Sequence, residues 1–69
     1  MSKPVKAISF AARLKQFRAE AGLSIADLCK ASGLPRQTIH LLERSEREPS
    51  LTTARKLAQA LGRSLADFD

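Results

Sequence analysis

The sequence predicts an all-α domain, a compact bundle of five short helices. Ala, Leu, Lys, Arg, Gln and Glu, all good helix formers, dominate the composition, whereas aromatic residues make up only 4% of the chain. The β-branched residues are scattered singly, so no segment has the alternating pattern of a strand. A chain of 69 residues forms one domain and buries only about 60% of its unfolded surface, so its core must be small and closely packed.

Glycines and serines mark the helix boundaries. Each of the three glycines follows a helical stretch, where a left-handed residue ends a helix without steric cost. Ser24 and Ser64 each precede an aspartate three residues later, which is the spacing of a capping box. Ser9 and Ser50 can cap without that acid, and Pro35 favours a helix start. The predicted helices cover residues 10–21, 24–32, 35–45 and 50–61, with a final turn from residue 65.

Each predicted helix has one apolar face to bury. The residues expected in the core of the first, second and fourth helices are Phe10, Leu14, Phe17, Ala21, Ile25, Leu28, Cys29, Leu51, Ala54, Leu57, Ala58 and Leu61. In the third helix, Ile39 and Leu42 are the expected anchors, and Pro35 and Glu46 share their face. Leu65 and Phe68 either cap this core or begin a dimerising helix of a longer protein.

Charge and cysteine content restrict the classes of function. The net charge of +5 suggests a polyanionic partner, and all of the excess lies in residues 1–36. Residues 1–8, which contain Lys3 and Lys6, are expected to form a flexible basic arm. The lone Cys29 excludes an internal disulfide and, with a single histidine, an ordinary zinc site. We expect Cys29 to fill the core, and we expect a cytoplasmic protein without metal or cofactor.

The sequence lacks the parts of a membrane protein or an enzyme. Lys6 and Ser9 interrupt the N-terminal apolar residues, so no signal peptide is expected, and no apolar run approaches the length of a membrane span. No nucleophile is paired with a base, no glycine loop is suited to phosphate, and the chain is too small to enclose a substrate pocket. We therefore do not expect catalysis.

The second and third predicted helices have the connection of a helix-turn-helix. The tripeptide Ser32-Gly33-Leu34 makes a tight turn with glycine and a following apolar residue. Arginine can read guanine, glutamine can read adenine, and leucine can contact a thymine methyl in the major groove. On the face opposite its anchors, the third helix carries Arg36, Gln37 and Leu41, with His40 beside them. We therefore expect residues 9–69 to form a DNA-binding domain.

Several short motifs stand in a specific order along the chain: Gly22-Leu23-Ser24, Leu28-Cys29, Gly33-Leu34, Thr38-Ile39-x-x-Leu42-Glu43-Arg44, Pro49-Ser50-Leu51 and Leu57-Ala58-x-Ala60-Leu61-Gly62. Through them, Arg13 to Phe68 resembles the phage repressor and Cro-like helix-turn-helix family, also called the xenobiotic-response-element type. The resemblance implies a lambda-repressor-like five-helix bundle that binds double-stranded DNA. It also implies a transcriptional regulator, expected to be a repressor, that binds a pseudo-palindromic operator as a homodimer.

The resemblance also assigns roles to particular residues. The base-reading positions of the family fall on Arg36, Gln37 and Leu41, with His40 beside them and Pro35 near the DNA backbone. A partly buried structural ion pair falls on two further residues, Arg18 and Glu43. The family often begins the second helix with a glutamine that contacts a phosphate, and it prefers glycine just after the third helix. In this sequence the two positions hold Ile25 and Ser45.

Further backbone contacts and alternatives follow from the residues themselves. Backbone N–H groups, Ser24 or Lys30 would have to replace the missing glutamine contact, and Arg44 and Arg47 are expected to contact phosphates. His40 is a base contact, a pH switch or a solvated polar residue.

Two other functions of the protein stay open. One is an antitoxin or other protein-interaction module that binds a toxin and represses its own operon, and the other is a bridging or coactivator protein with weak DNA contact.

Overall fold

Four α-helices and one turn of 3₁₀ helix make up the part of the chain that the computed structural model describes, residues 7–68, with side chains from residue 10 onward. The elements are α1 (Ala7–Glu20), α2 (Ile25–Ser32), α3 (Arg36–Glu43), α4 (Leu51–Ala60) and the 3₁₀ turn (Leu65–Phe68). Within these residues there is no strand, so the all-α prediction is confirmed. The count of five helices is wrong, because the last element has only four residues.

One apolar core lies between the elements. Its buried residues are Phe10, Leu14, Phe17, Leu28, Ile39, Leu42, Ala54, Leu57, Ala58 and Phe68. Both predicted anchors of α3 are fully buried. Ala21 is exposed because α1 has already ended, and Leu51 is 61% exposed at the first position of α4, so both predictions of burial are wrong. Ile25, Cys29 and Leu61 are half-buried against the core.

The three phenylalanines meet beneath the 3₁₀ turn. The ring of Phe68 stacks on Phe10 at a centroid distance of 4.8 Å and meets Phe17 edge-on at 5.0 Å. The guanidinium of Arg63 lies 4.1 Å from the centroid of Phe17 and donates to Glu20 across 2.7 Å. Aromatic and cation-π contacts of this kind add to the burial of apolar area. The final turn therefore caps the core, the first of the two roles predicted for it.

Serine residues cap two helices as predicted. The Ser24 hydroxyl accepts the Asp27 N–H at 3.0 Å, and the Asp27 carboxylate accepts the Ser24 N–H at 3.1 Å, which lowers the pKa of Asp27. Ser50 accepts the Thr53 N–H at 3.1 Å at the start of α4. Ser9 lies inside α1, so its predicted cap is wrong.

At both ends of the described residues the structure departs from the predictions. At the 3₁₀ turn, only half of the predicted capping box forms. Asp67 accepts the Ser64 N–H at 3.0 Å, while the Asp67 N–H bonds to the Ser64 backbone carbonyl at 3.1 Å. At the other end of the chain, the predicted basic arm falls largely outside the described residues. Its last two residues, Ala7 and Ile8, are the first residues of α1.

The end of α3 turns on a serine in a left-handed conformation. Ser45 has a φ of 60°, its N–H bonds to the Leu42 carbonyl at 3.2 Å, and the Glu46 N–H bonds to the Leu41 carbonyl at 2.9 Å. This pair of bonds is a Schellman motif, whose left-handed position is usually glycine. The turn stops α3 at Glu43, two residues earlier than predicted, and it leaves Glu46 exposed instead of on the buried face.

We expect Ser45→Gly to raise the free energy of unfolding by about 0.5 to 1 kcal/mol. The left-handed conformation costs a non-glycine residue about 1–2 kcal/mol, and Ser45→Gly removes this cost. Part of the stability gained is lost again, because glycine has a larger conformational entropy in the unfolded chain. Urea denaturation measures the change. Ser45→Ala is the control, because alanine pays the same steric cost; an equal gain in that variant would contradict the explanation.

Arg18 and Glu43 join α1 to the end of α3. Arg18 Nε donates to Glu43 Oε2 at 2.6 Å, and Nη2 donates to Oε1 at 3.0 Å. The third nitrogen, Nη1, donates to the Leu23 carbonyl in the α1–α2 connection at 3.1 Å. Glu43 is 6% exposed and is the one buried charged residue among those described. The hydrogen bond to Glu43 raises the pKa of Arg18, against the opposing effect of burial.

Removing both partners of this ion pair should cost less than the sum of the two single removals. Arg18→Met leaves the buried Glu43 carboxylate without its counter-charge, which costs about 3–5 kcal/mol. Glu43→Leu should cost less, because the Arg18 side chain is 23% exposed and can reach water. In the double variant neither charge is left unpaired, so its loss of unfolding free energy should fall well below the sum of the single losses. Urea denaturation at low temperature gives all three values, and additive losses would show that the pair is not coupled.

Candidate nucleic-acid interface

The turn between α2 and α3 is fixed by local hydrogen bonds. Gly33 takes a φ of 74°, and its N–H bonds to the Cys29 carbonyl at 2.9 Å. The Ser32 hydroxyl donates to the Leu28 carbonyl at 2.7 Å and accepts the Leu34 N–H at 3.3 Å. Leu34 then packs half-buried against the core. These contacts hold α2 and α3 as one helix-turn-helix unit.

The beginning of α3 is open to solvent. Pro35 precedes it in an extended conformation, with φ −62° and ψ 146°, and supplies no side-chain hydrogen bond to the first turn. Pro35 is exposed and no acidic residue lies in this turn, whose first side chains are Arg36 and Gln37. The partial positive charge of a helix N-terminus adds to that of Arg36. This end of α3 therefore presents donors and positive charge.

The predicted base-reading residues share the outer side of α3. Arg36 and His40 are four residues apart, as are Gln37 and Leu41, so each pair lies along one line of the helix surface. Arg36, Gln37 and His40 are exposed, whereas Leu41, expected to be exposed, is half-buried and offers only part of its surface. The eight residues of α3 span about 12 Å, which is close to the width of the major groove of B-DNA, about 12 Å.

The residues predicted to contact the DNA backbone all reach the surface. Lys30 on α2 and Arg47 in the α3–α4 connection are exposed. Ser24 is also exposed, and its hydroxyl oxygen accepts the Asp27 N–H. Arg44 is exposed as well, but its guanidinium is already paired with a carboxylate, that of Glu46, at 2.7 Å.

Two of these local arrangements were missed by sequence reasoning. The double hydrogen bonding of Ser32 depends on the turn geometry, although serine near a helix end is a recognisable signal for it. The Arg44–Glu46 pair has no such signal, because residues two apart face each other only after the helix has ended. It depends on the left-handed Ser45, which brings Glu46 back toward the end of α3.

The described part of the chain contains an apolar groove but neither a metal-binding cluster nor a membrane-spanning helix. Among residues 7–68, no three His, Cys, Asp or Glu side chains lie close enough together to hold a metal ion. No helix described there is both long and apolar enough to cross a membrane. An apolar groove of about 520 Å³ opens beside the exposed Leu51, and Phe10, Pro49, Leu65 and Phe68 contribute to its lining.

Known proteins are similar to this chain in sequence and in fold. Residues 14–68 match the family described as helix-turn-helix. The chain is 42% identical over 50 residues to an uncharacterised HTH-type transcriptional regulator of Methanothermobacter thermautotrophicus, an alignment that covers 72% of each chain.

Two crystal structures are similar throughout the fold. The restriction-modification controller protein C.AhdI from Aeromonas hydrophila superposes with a TM-score of 0.87 and 35% identity, covering 91% of this chain and 96% of that one. The clp gene regulator ClgR from Corynebacterium glutamicum gives 0.86 and 32%, covering 96% and 86%. With a helix-turn-helix at α2 and α3, this chain belongs to the phage repressor and Cro-like helix-turn-helix family of DNA-binding transcriptional regulators.

Proposed function

We propose that this domain is a sequence-specific transcriptional regulator that reads the major groove of double-stranded DNA with α3 and acts as a repressor. The observation that carries the proposal is the division of α3 into two faces. Ile39, Leu42 and Glu43 are buried and fix the helix, while the opposite side presents Arg36 and Gln37 to solvent. Those two side chains can make bidentate contacts with guanine and adenine.

Backbone contacts would orient α3 in the groove. Lys30, Arg44 and Arg47 are exposed on α2 and on the connection that follows α3. Phosphate contacts of this kind set the register of a protein on DNA, while base contacts provide the specificity.

Repression is the simpler regulatory outcome, because it requires only that the protein occupy its operator, whereas activation requires a second surface for the transcription machinery.

The relatives favour a regulator over the other functions that the sequence left open. The matched proteins are named transcriptional or gene regulators, and C.AhdI is named a controller protein. A toxin-binding role would predict that the chain co-purifies with a protein of fixed stoichiometry. A bridging role would predict no enrichment of any DNA sequence. One selection experiment and one purification therefore separate the three.

Selection from a pool of random duplexes tests the proposed function directly. We expect enrichment of a pseudo-palindrome whose half-sites are separated by about one helical turn, roughly 34–36 Å. A reporter gene under the selected site should be silenced when the protein is expressed. Failure to enrich any sequence would overturn the proposed function, and a gain of reporter expression would overturn the repressor role.

Arg36→Ala and Lys30→Ala should affect the selected site in different ways. Loss of Arg36 should weaken binding by about 1–3 kcal/mol and relax the preference at one base pair. Loss of Lys30 should weaken all duplexes alike and reduce the slope of log affinity against log salt by about one. Titrations with the selected duplex and a scrambled one measure both effects. A sequence-selective loss in Lys30→Ala, or none in Arg36→Ala, would contradict these roles.

We also propose that the regulator binds as a homodimer whose copies meet at the groove beside Leu51. A single exposed leucine is ordinary, but here it continues into an apolar groove that includes Pro49 and Leu65. The charges beside the groove suit a second copy of the same chain. Glu48 lines it, and the exposed Arg55 lies one helical turn beyond Leu51. In a two-fold interface, Glu48 of each copy can then meet Arg55 of the other.

Leu51→Glu should weaken dimerisation by at least about tenfold, the equivalent of 1.4 kcal/mol. The change places a charge in the proposed interface but leaves the fold intact, because a glutamate is favourable in the first turn of a helix. Thr52→Glu is the matched control, since it adds the same charge at the next exposed position. Sedimentation equilibrium, alone and with the selected duplex, measures association. Equal weakening in both variants, or none in Leu51→Glu, would place the interface elsewhere.

A further inference from the structure

We propose that Glu46 competes with DNA phosphates for Arg44 and thereby lowers the sequence-independent affinity of the domain for DNA. The proposal rests on the DNA-binding function proposed above. It concerns a residue on which base reading does not depend, and it predicts an effect on every duplex regardless of its sequence.

Arg44 continues the line of exposed side chains on α3. Its N–H bonds to the His40 carbonyl at 3.0 Å, so the backbone keeps its helical course for one residue beyond the last of the helix. Arg36, His40 and Arg44 are therefore spaced four residues apart along one side. A duplex that meets the first two of these residues brings the phosphates that border the groove close to the third.

Glu46 is fixed beside Arg44 by the backbone. The left-handed Ser45 reverses the chain, and the Glu46 N–H is anchored to the Leu41 carbonyl at 2.9 Å. From this position, Glu46 Oε2 lies 2.7 Å from Arg44 Nε, which is the distance of a close ion pair. The carboxylate therefore offsets the positive charge that a phosphate would otherwise meet.

The strength of this ion pair suits a competitor. The side chains of Arg44 and Glu46 are 66% and 47% exposed, so the pair is weak and can exchange for a phosphate. Added salt screens the Arg44–Glu46 ion pair as well as the contact of Arg44 with a phosphate. The competitor therefore weakens together with the contact that it opposes, and the salt dependence is shallower than it would be if Arg44 were unpaired. The pair lowers affinity without preventing binding.

Glu48 provides an internal comparison. It carries the same charge two residues later in the same connection and is also exposed, but it lines the apolar groove. In the described part of the chain, Arg44 forms its ion pair with Glu46 and not with Glu48. A general repulsion between acidic residues and DNA acts through both glutamates, whereas competition for Arg44 acts through Glu46 alone.

The test measures binding to a duplex of scrambled sequence over a range of salt concentrations. We expect E46Q to bind about two- to fivefold more tightly at low salt, the equivalent of the free energy of an exposed ion pair. Its log–log salt slope should become steeper by up to about 0.9. In the R44Q background the same E46Q change should have a clearly smaller effect, and E48Q, compared at protein concentrations at which the proposed dimer does not form, should do less than E46Q. Urea denaturation of each variant confirms that the fold is unchanged.

The possible outcomes separate this proposal from the function on which it rests. The competition is refuted if E46Q leaves affinity unchanged, if it has the same effect with and without Arg44, or if E48Q matches it. If the unsubstituted protein binds no duplex at all, DNA binding by this chain fails instead. A steeper salt slope that requires Arg44 supports the competition.

Discussion

The orientation of α3 depends on a carboxylate that would be unfavourable where it lies without its partner. Glu43 is buried at the C-terminal end of its own helix, where the backbone dipole already contributes negative charge. Arg18 satisfies both of its oxygens and also binds the Leu23 carbonyl, so one guanidinium connects α1, the α1–α2 connection and the end of α3. A tilt of α3 would break these bonds together.

This constraint explains how eight residues can form a precise surface. An isolated helix of that length is unstable in water, so α3 exists only through its packing. Ile39 and Leu42 supply the apolar contact, and Glu43 supplies a directional one that apolar packing lacks. Because the contacts on the buried side hold α3 in place, the residues on its outer side can differ in identity without changing where the helix lies.

Sequence patterns predicted the interior of each helix better than its ends. The helical spacing of apolar residues located the anchors Ile39 and Leu42, and the Ser24–Asp27 spacing located a real capping box, because both depend on neighbouring residues only. The end of α3 and the exposure of Leu51 were predicted wrongly. The first depends on whether Ser45 accepts a left-handed conformation, and the second on which elements pack beside the start of α4. Neither is encoded in local periodicity.

The charged run from Glu43 to Glu48 shows how the left-handed conformation of Ser45 shapes the proposed DNA-binding site. In the sequence its signs nearly alternate, and it is the family resemblance that separates Glu43, the expected partner of Arg18, from the residues expected in a solvated helix end and loop. In the structure, Glu43 is 6% exposed and bound to α1, whereas the side chain of Glu46 is 47% exposed and bound to Arg44. The chain reversal at Ser45 separates these two environments. One backbone conformation therefore decides which carboxylate stabilises the fold and which lies beside the arginine that would face DNA.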